Sequence, residues 1–267
     1  LDAVEPVYAV YVDEYGETGG DLRSPGQPFH VLFATLVRAG SPYLALEGTL
    51  RGIALRLAAK LGLRHLAPLH AVELYQRTGL YRDPPSGERL RVPEAKEAFL
   101  SILEGVAREA DGFPAVRVEK RDLADRLGFE RGSRELGLRL RRTLFALLLE
   151  EVNDYLEALG GYGFLFFETR MPEDLRFFTQ AAPFETLRGQ RQGFRLLGVP
   201  APVGKEHILG AAADFPAYVY GHFLKARGGY APRREDLWQA FQELVQPLLR
   251  ERDVGEALAQ ELARRGG

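Results

Sequence analysis

Three stretches of the chain are continuously apolar and end at charged residues or turns. They span residues 7–13 (VYAVYVD), 29–37 (FHVLFATLV) and 163–168 (GFLFFE). Short runs rich in β-branched and aromatic residues predict strands that are buried on both faces. The first two runs flank a stretch rich in glycine and proline, which predicts an opening β-hairpin. A further short strand is predicted at 115–119 (AVRVE).

Segments with helical periodicity lie between these predicted strands and after the last of them. Apolar positions three and four residues apart predict helices at 43–61, 94–110, 134–159, 205–226, 234–249 and 252–265. Pro216 should kink the 205–226 helix near Asp214, because proline removes one backbone hydrogen bond. Strands alternating with helices after a hairpin predict a single α/β domain over residues 1–267. Its mixed sheet should be flanked by helices, and 234–267 should form a helical C-terminal extension.

Composition narrows the functional classes. The chain has 267 residues, 46% of them hydrophobic, with a net charge of −2, so we expect a folded core and no global attraction to nucleic acid. The absence of cysteine excludes disulfides and thiol nucleophiles and favours a reducing cytoplasm. No apolar run reaches about 18 residues, so we expect neither membrane insertion nor secretion. An excess of arginine over lysine is reported for some thermophile families.

Acidic residues lie where two of the predicted strands end. Asp13 ends the first strand and Glu168 the later one, and ligands of open α/β sheets commonly bind at strand ends. Asp214 is a third candidate, because its spacing puts it on one predicted helical face with His207. Clustered carboxylates need a cation, and Mg²⁺ or Mn²⁺ bound to oxygen ligands supports phosphodiester cleavage. Alternatively, each acid caps a helix or pairs with an arginine.

Two further sets of side chains are candidates. His70 and Glu73 are three residues apart and can share a helical face, where they would assist as base and orienter; alternatively, His70 is an ordinary, partly buried histidine. Arg134, Arg141 and Arg142 can share one broad face of the longest predicted helix and bind nucleic-acid phosphates. A solvated helix with salt bridges would show the same arginine pattern.

Four segments carry a family resemblance. Residues 11–16 (YVDEYG) resemble the Tyr-Ile-Asp-Glu-Ser-Gly opening of a bacterial family named domain of unknown function 3800. Residues 69–74 (LHAVEL), 165–168 (LFFE) and 208–218 (ILGAAADFPAY) are similar to later segments of that family, in the same order. The resemblance covers roughly residues 7–226.

The resemblance implies a ribonuclease H-like fold. In that fold, an acid on the first strand, one on a later neighbouring strand and one on a late helix hold divalent metal ions. The corresponding positions here are Asp13, Glu168 and Asp214, with Glu14 and His207 as auxiliary candidates beside them. The implied activity is that of a nuclease or another phosphodiester hydrolase that depends on Mg²⁺ or Mn²⁺.

Departures from the family pattern keep other functions open. Tyr15 stands where serine is usual, Glu168 where aspartate is commoner, and Ala211 where the helix normally carries glutamine. One alternative is a catalytically inactive ribonuclease H-like module that binds nucleic acid or a protein. Another is a metal-dependent hydrolase of a small phosphorylated molecule, because no sequence motif specifies a groove for a polymer.

Overall fold

The computed structural model describes residues 4–16, 21–128, 133–168, 194–198, 200–204 and 207–264. The side chains of Arg134 and Glu168 lie outside this description. Within the described ranges, one six-stranded mixed sheet has helices packed on both of its faces. The predicted α/β class, the mixed sheet and its flanking helices are therefore confirmed. None of the helices in these ranges is both long and apolar enough to cross a membrane.

The sheet begins with the predicted antiparallel hairpin. Its strands are β1 (Val7–Tyr15), β2 (Phe29–Arg38), β3 (Ala110–Glu119), β4 (Tyr162–Glu168), β5 (Ala201–Val203) and β6 (Leu249–Asp253). They lie in the order β5-β4-β1-β2-β3-β6. Strand β2 lies between β1 and β3 and is antiparallel to both. Strand β4 runs parallel to β1, β5 parallel to β4, and β6 parallel to β3.

The described residues also form α-helices on both sides of the sheet. They are α1 (Ser41–Leu61), α2 (Ala71–Gln76), α3 (Val92–Glu109), α4 (Lys120–Leu127), α5 (Arg134–Ala158), α6 (Ala211–Arg227), α7 (Glu235–Ala240) and α8 (Gly255–Arg264). Short 3₁₀ turns occur at Gly79–Tyr81 and Ile208–Gly210. Helix α7 continues into a π-helical turn at Phe241–Val245 and a 3₁₀ turn at Gln246–Leu248.

Successive residues of β1 point to opposite sides of the sheet. Ala9 and Tyr11 belong to the core that is covered by α1, α3 and α6. Tyr8, Val10 and Val12 belong to the core covered by α4, α5 and α8. We call these two sides the α6 face and the α5 face. This period-two alternation decides which of the neighbouring acids at the end of β1 lie together.

Two predictions about the C-terminal half are wrong. Residues 249–253 (LRERD) form strand β6 and not part of a helix, so the extension is not entirely helical. This strand is largely exposed at the edge of the sheet, beside β3. Helix α6 begins at Ala211, so His207 precedes a separate 3₁₀ turn and does not share a helical face with Asp214.

A threonine of the sheet offsets the hydrogen bond that Pro216 removes from α6. Proline has no N–H to donate to the carbonyl four residues earlier, which belongs to Ala212. The hydroxyl of Thr35, a fully buried residue of β2, donates to that carbonyl over 2.7 Å. Thr35 is the register partner of Tyr11 on β1. The contact therefore fixes the first turns of α6 above the centre of the sheet.

Candidate functional site

Asp13 and Glu168 lie at the same level on neighbouring parallel strands. Strands β1 and β4 pair with Val12 opposite Phe167, so the next residue on each strand is one of the two acids. Neighbouring strands are about 4.8 Å apart. Asp13 is half-buried, and strand alternation puts it on the α6 face, as it does Tyr11.

Asp214 lies in the first turn of α6, on the same face of the sheet. Its Oδ2 atom accepts a hydrogen bond from the backbone N–H of Ala71 over 2.8 Å. The same atom lies 3.8 Å from Nδ1 of His70. Asp214 thus satisfies an N–H group at the start of α2, which is a structural role. An ionised carboxylate has about four lone-pair sites, so this bond leaves acceptor capacity for a further ligand.

His70 and Glu73 reach this region through the short helix α2. His70 is the residue before the helix begins, and Glu73 lies in its first turn. Burial, together with the charges of nearby Glu73 and Asp214, raises the pKa of the Tyr81 phenol. The structure therefore brings together three predicted residues, His70, Glu73 and Asp214, at the start of α2.

The donor chemistry of the acids suits a hard cation, but a complete ligand set is not seen. Carboxylate oxygens, which Asp13 and Asp214 supply, are the ligands that Mg²⁺ and Mn²⁺ prefer. Among the side chains that the structure describes, no group of three His, Asp or Glu residues is arranged to hold a metal ion. The side chain of Glu168 lies outside that set. The residues present fit the chemistry of such a cation and leave its coordination geometry undefined.

Glu14 does not join Asp13. It lies on the α5 face, where its Oε2 atom accepts a hydrogen bond from Nε of Arg141 over 2.6 Å. Nε2 of His30 is 3.9 Å from the same oxygen. Burial alone would raise the pKa of Glu14, but His30 and Arg141 outweigh it and hold that pKa below its usual value. Glu14 is therefore a buried partner of a helix arginine.

The predicted arginine face is wrong for Arg141. Its side chain is buried against Glu14 between α5 and the sheet, whereas Arg142 is exposed. Neighbouring residues of a helix point about 100° apart, since the helix has 3.6 residues per turn. Arg142 thus remains on the solvent side without Arg141 beside it.

His207 is exposed and lies near the centre of β1 rather than on α6. Its ring centroid is 6.1 Å from that of Tyr11. Tyr11 in turn stacks on Phe166 of β4, with the ring centroids 5.2 Å apart. The His207 ring therefore lies beside the Tyr11 ring on the α6 face, and Tyr11 precedes Asp13 by two residues along β1.

Sequence reasoning missed a second polar group on the α6 face. Tyr218 and His222 lie four and eight residues after Asp214 on α6, and their rings are 4.5 Å apart. Tyr15 lies two residues after Asp13, and its ring is 6.2 Å from that of His222. These spacings of two on a strand and four on a helix were visible in the sequence. Together with Asp13 and Asp214, these three side chains form a longer row of polar groups on the α6 face.

Comparison of the chain with protein-family models, with curated proteins and with solved structures yields no match. The family resemblance of residues 11–16 and the ribonuclease H-like fold therefore stay predictions. The function has to be argued from the site itself.

Proposed function

We propose that this protein is a divalent-metal-dependent phosphodiester hydrolase of the ribonuclease H-like type, acting on nucleic acid. The observation that supports it best is the placement of Asp13 and Glu168 at adjacent ends of parallel strands, with Asp214 on the helix that covers the same face. An acid on the first strand, one on a neighbouring later strand and one on a late helix is the pattern implied by the family resemblance.

The three acids would hold Mg²⁺ or Mn²⁺, which activates water and offsets the charge of a phosphodiester. His70 has Nδ1 within 3.8 Å of the Asp214 carboxylate, a position from which it can hold or move a proton. Glu73, in the first turn of α2, adds negative charge near the start of that helix.

A calorimetric Mn²⁺ titration tests the metal site without choosing a substrate. We expect wild-type protein to bind Mn²⁺ and both Asp13→Asn and Asp214→Asn to lose at least about tenfold in affinity, as typical for loss of an anionic ligand. Asn at position 214 keeps an oxygen for the Ala71 N–H, so the start of α2 remains capped. Asp125→Asn, which removes an exposed carboxylate of α4, is the matched control and should bind normally.

Hydrolysis is then measured on labelled single- and double-stranded DNA and RNA with Mn²⁺ or Mg²⁺. Cleavage that disappears in Asp13→Asn and persists in Asp125→Asn supports the assignment. The proposal fails if wild-type protein neither binds Mn²⁺ nor cleaves any of these substrates. It also fails if Asp13→Asn cleaves as fast as wild type.

One observation favours a second candidate, a catalytically inactive module that binds nucleic acid or a protein. The Asp214 carboxylate already bonds to Ala71, and the described side chains form no three-ligand group. This candidate predicts binding of nucleic acid that weakens steeply with salt, without turnover in any metal. Unchanged binding of the same oligonucleotide by Asp13→Asn would distinguish it from the hydrolase.

A further inference from the structure

Two buried tyrosine hydroxyls lie next to the candidate acids. Tyr15 ends β1 two residues after Asp13, and Tyr218 lies one helical turn after Asp214. The Tyr15 hydroxyl is buried with no hydrogen-bond partner among the described residues. Tyr218 is 5% exposed, and its buried hydroxyl lies beside the side chain of Gln76. A buried hydroxyl without a partner carries a desolvation penalty. Such groups indicate a ligand or water that completes them.

Two cations, Lys225 and Arg234, lie near these tyrosines. Nζ of Lys225 lies 5.2 Å from the centre of the Tyr15 ring, and it donates a hydrogen bond to the carbonyl of Gly26 over 2.9 Å. The Arg234 guanidinium lies 5.4 Å from the centre of the Tyr75 ring. Burial, and then the charge of Arg234, lowers the pKa of Lys225. Two cations thus share a partly desolvated region.

His222 lies close to the same two cations. Burial and the charges of Lys225 and Arg234 lower its pKa to about 4. The ring is therefore neutral at pH 7, when it can donate one hydrogen bond and accept another. It lies between the rings of Tyr15 and Tyr218, at 6.2 and 4.5 Å.

One carboxylate near this group, that of Asp236, is already paired with a lysine. Asp236, near the start of α7, lies 2.6 Å from Nζ of Lys96 and accepts a hydrogen bond from the hydroxyl of Tyr75 over 2.9 Å. Burial and this bond raise the pKa of Tyr75 to about 12. Lys96 therefore offsets part of the negative charge that Asp236 places near Lys225 and Arg234.

A small pocket opens at the edge of the group. His222 and Arg234 line it together with Trp238 and Pro232. Its interior admits about one water molecule, with about 10 Å³ of space. Arg234 is exposed, so its guanidinium can be reached by an anion from solvent.

We propose that Tyr15, Tyr218, His222, Lys225 and Arg234 form a subsite that binds a substrate phosphate next to the phosphodiester held at Asp13 and Asp214. The subsite rests on the proposed hydrolase function and narrows its substrate to chains with phosphates on both sides of the cleaved bond. Its tyrosine hydroxyls donate to phosphate oxygens, and Arg234 supplies paired N–H donors that match an oxyanion. One helical turn separates Tyr218 from Asp214, about 5.4 Å along α6.

Inorganic phosphate is the probe, titrated by calorimetry in EDTA at constant ionic strength, so that no metal takes part. We expect Arg234→Gln to weaken binding about tenfold or more and Tyr218→Phe to weaken it several-fold, since each removes donors to an anion. Arg233→Gln is the matched control. Arg233 is the preceding residue, but it stacks on Trp238 and pairs with Glu235, so its loss should change affinity less than about twofold.

Tyr218→Phe keeps the buried ring and removes only its hydroxyl, so this variant should fold and melt close to the wild-type temperature. Weaker phosphate binding in a stable variant therefore reports on the hydroxyl itself. The subsite is overturned if wild type shows no saturable phosphate binding, or if Arg233→Gln and Arg234→Gln lose affinity equally.

The subsite and the hydrolase fail separately. Phosphate binding that depends on Arg234 while Mn²⁺ binding and cleavage are absent would keep the subsite and remove the hydrolase. Mn²⁺ binding that depends on Asp13, without phosphate binding in EDTA, would keep the hydrolase and remove the subsite.

Discussion

Two neighbouring acids at the end of β1 have opposite surroundings. Glu14 faces α5, where Arg141 donates to it over 2.6 Å and both side chains are about 90% buried. Asp13 faces α6, on the side where Asp214, Tyr15 and Tyr218 lie. On the α5 face the negative charge is neutralised by a helix arginine. On the α6 face the Asp214 carboxylate bonds to the backbone N–H of Ala71, and Tyr15, Tyr218 and His222 lie along the same side.

Of these two neighbouring residues, Glu14 stabilises the fold, whereas Asp13 is the candidate for binding a ligand. A buried charge that is paired holds two elements together, and it cannot also bind a ligand without losing its partner. A buried hydroxyl without a partner, such as that of Tyr15, indicates a place for a ligand or water instead. The following variants test this separation, from the largest expected effect to the smallest.

Arg141→Met should be the most destabilising change. It leaves Glu14 charged and buried without its partner, at a cost of about 3–5 kcal/mol in the free energy of unfolding. Urea denaturation measures this loss. Glu14→Gln combined with Arg141→Met should recover part of it, because the double variant buries no net charge. Equal losses in the single and double variants would contradict the pairing.

The same pair predicts a response to acid. The pKa of Glu14 lies below the usual 4.5 in the folded protein, so the unfolded chain binds its proton first as the pH falls. The stability from Glu14 is therefore complete above pH 4.5 and is lost as the pH drops further. Glu14→Gln should flatten that part of the stability curve.

His222 should give a second pH dependence, at higher pH. Its pKa of about 4 lies below the usual 6.5, so acid protonates the unfolded chain before the folded protein. Stability is then complete above pH 6.5 and decreases between pH 6.5 and about 4 by up to about 3 kcal/mol, less where solvent screens the ring. Denaturation of wild type and His222→Gln across this range measures the difference. Parallel curves for the two proteins would rule it out.

Thr35→Val should cost about 1–3 kcal/mol. It leaves the Ala212 carbonyl without the donor that replaces the missing N–H of Pro216. Pro216→Ala restores an N–H at that position, so it should reduce the cost when combined with Thr35→Val. Thr143→Val, which removes a hydroxyl bonded within α5, is the control and should cost much less.

Asp125→Asn should have the smallest effect, below about 1 kcal/mol. Its carboxylate pairs with Arg23 over 2.7 Å, but both side chains are about half exposed, so water screens the attraction. Urea denaturation of Asp125→Asn and of Arg141→Met compares the exposed ion pair with the buried one. A loss as large as that of Arg141→Met would mean that burial does not decide the value of an ion pair here.

Local pattern was sufficient for the central sheet. The runs at 7–13, 29–37 and 163–168 became β1, β2 and β4, because strands buried on both faces consist of apolar residues throughout. Strand β6 (LRERD) was missed, because an exposed edge strand has no apolar face and leucine, arginine and glutamate favour helices. The sequence thus predicted the interior of the sheet better than its edge.

The site was predicted in part, for a similar reason. Alternation along β1 separates Asp13 from Glu14 and was available from the sequence. The partner of Glu14, Arg141, lies 127 residues later, and no local pattern connects two positions so far apart. The start of α6 at Ala211 was also unpredictable, because its N-cap residue, Gly210, makes no side-chain capping bond that a sequence pattern would reveal.

Strand β1 is hydrogen-bonded on both sides, antiparallel to β2 and parallel to β4. Its backbone amides should therefore exchange with deuterium only when the sheet opens globally, whereas those of the three-residue strand β5 should exchange through local fraying. We therefore expect Asp13 to lie on a strand whose amides exchange slowly. A ligand at that carboxylate would meet a backbone already fixed in place, and little ordering entropy would be lost on binding.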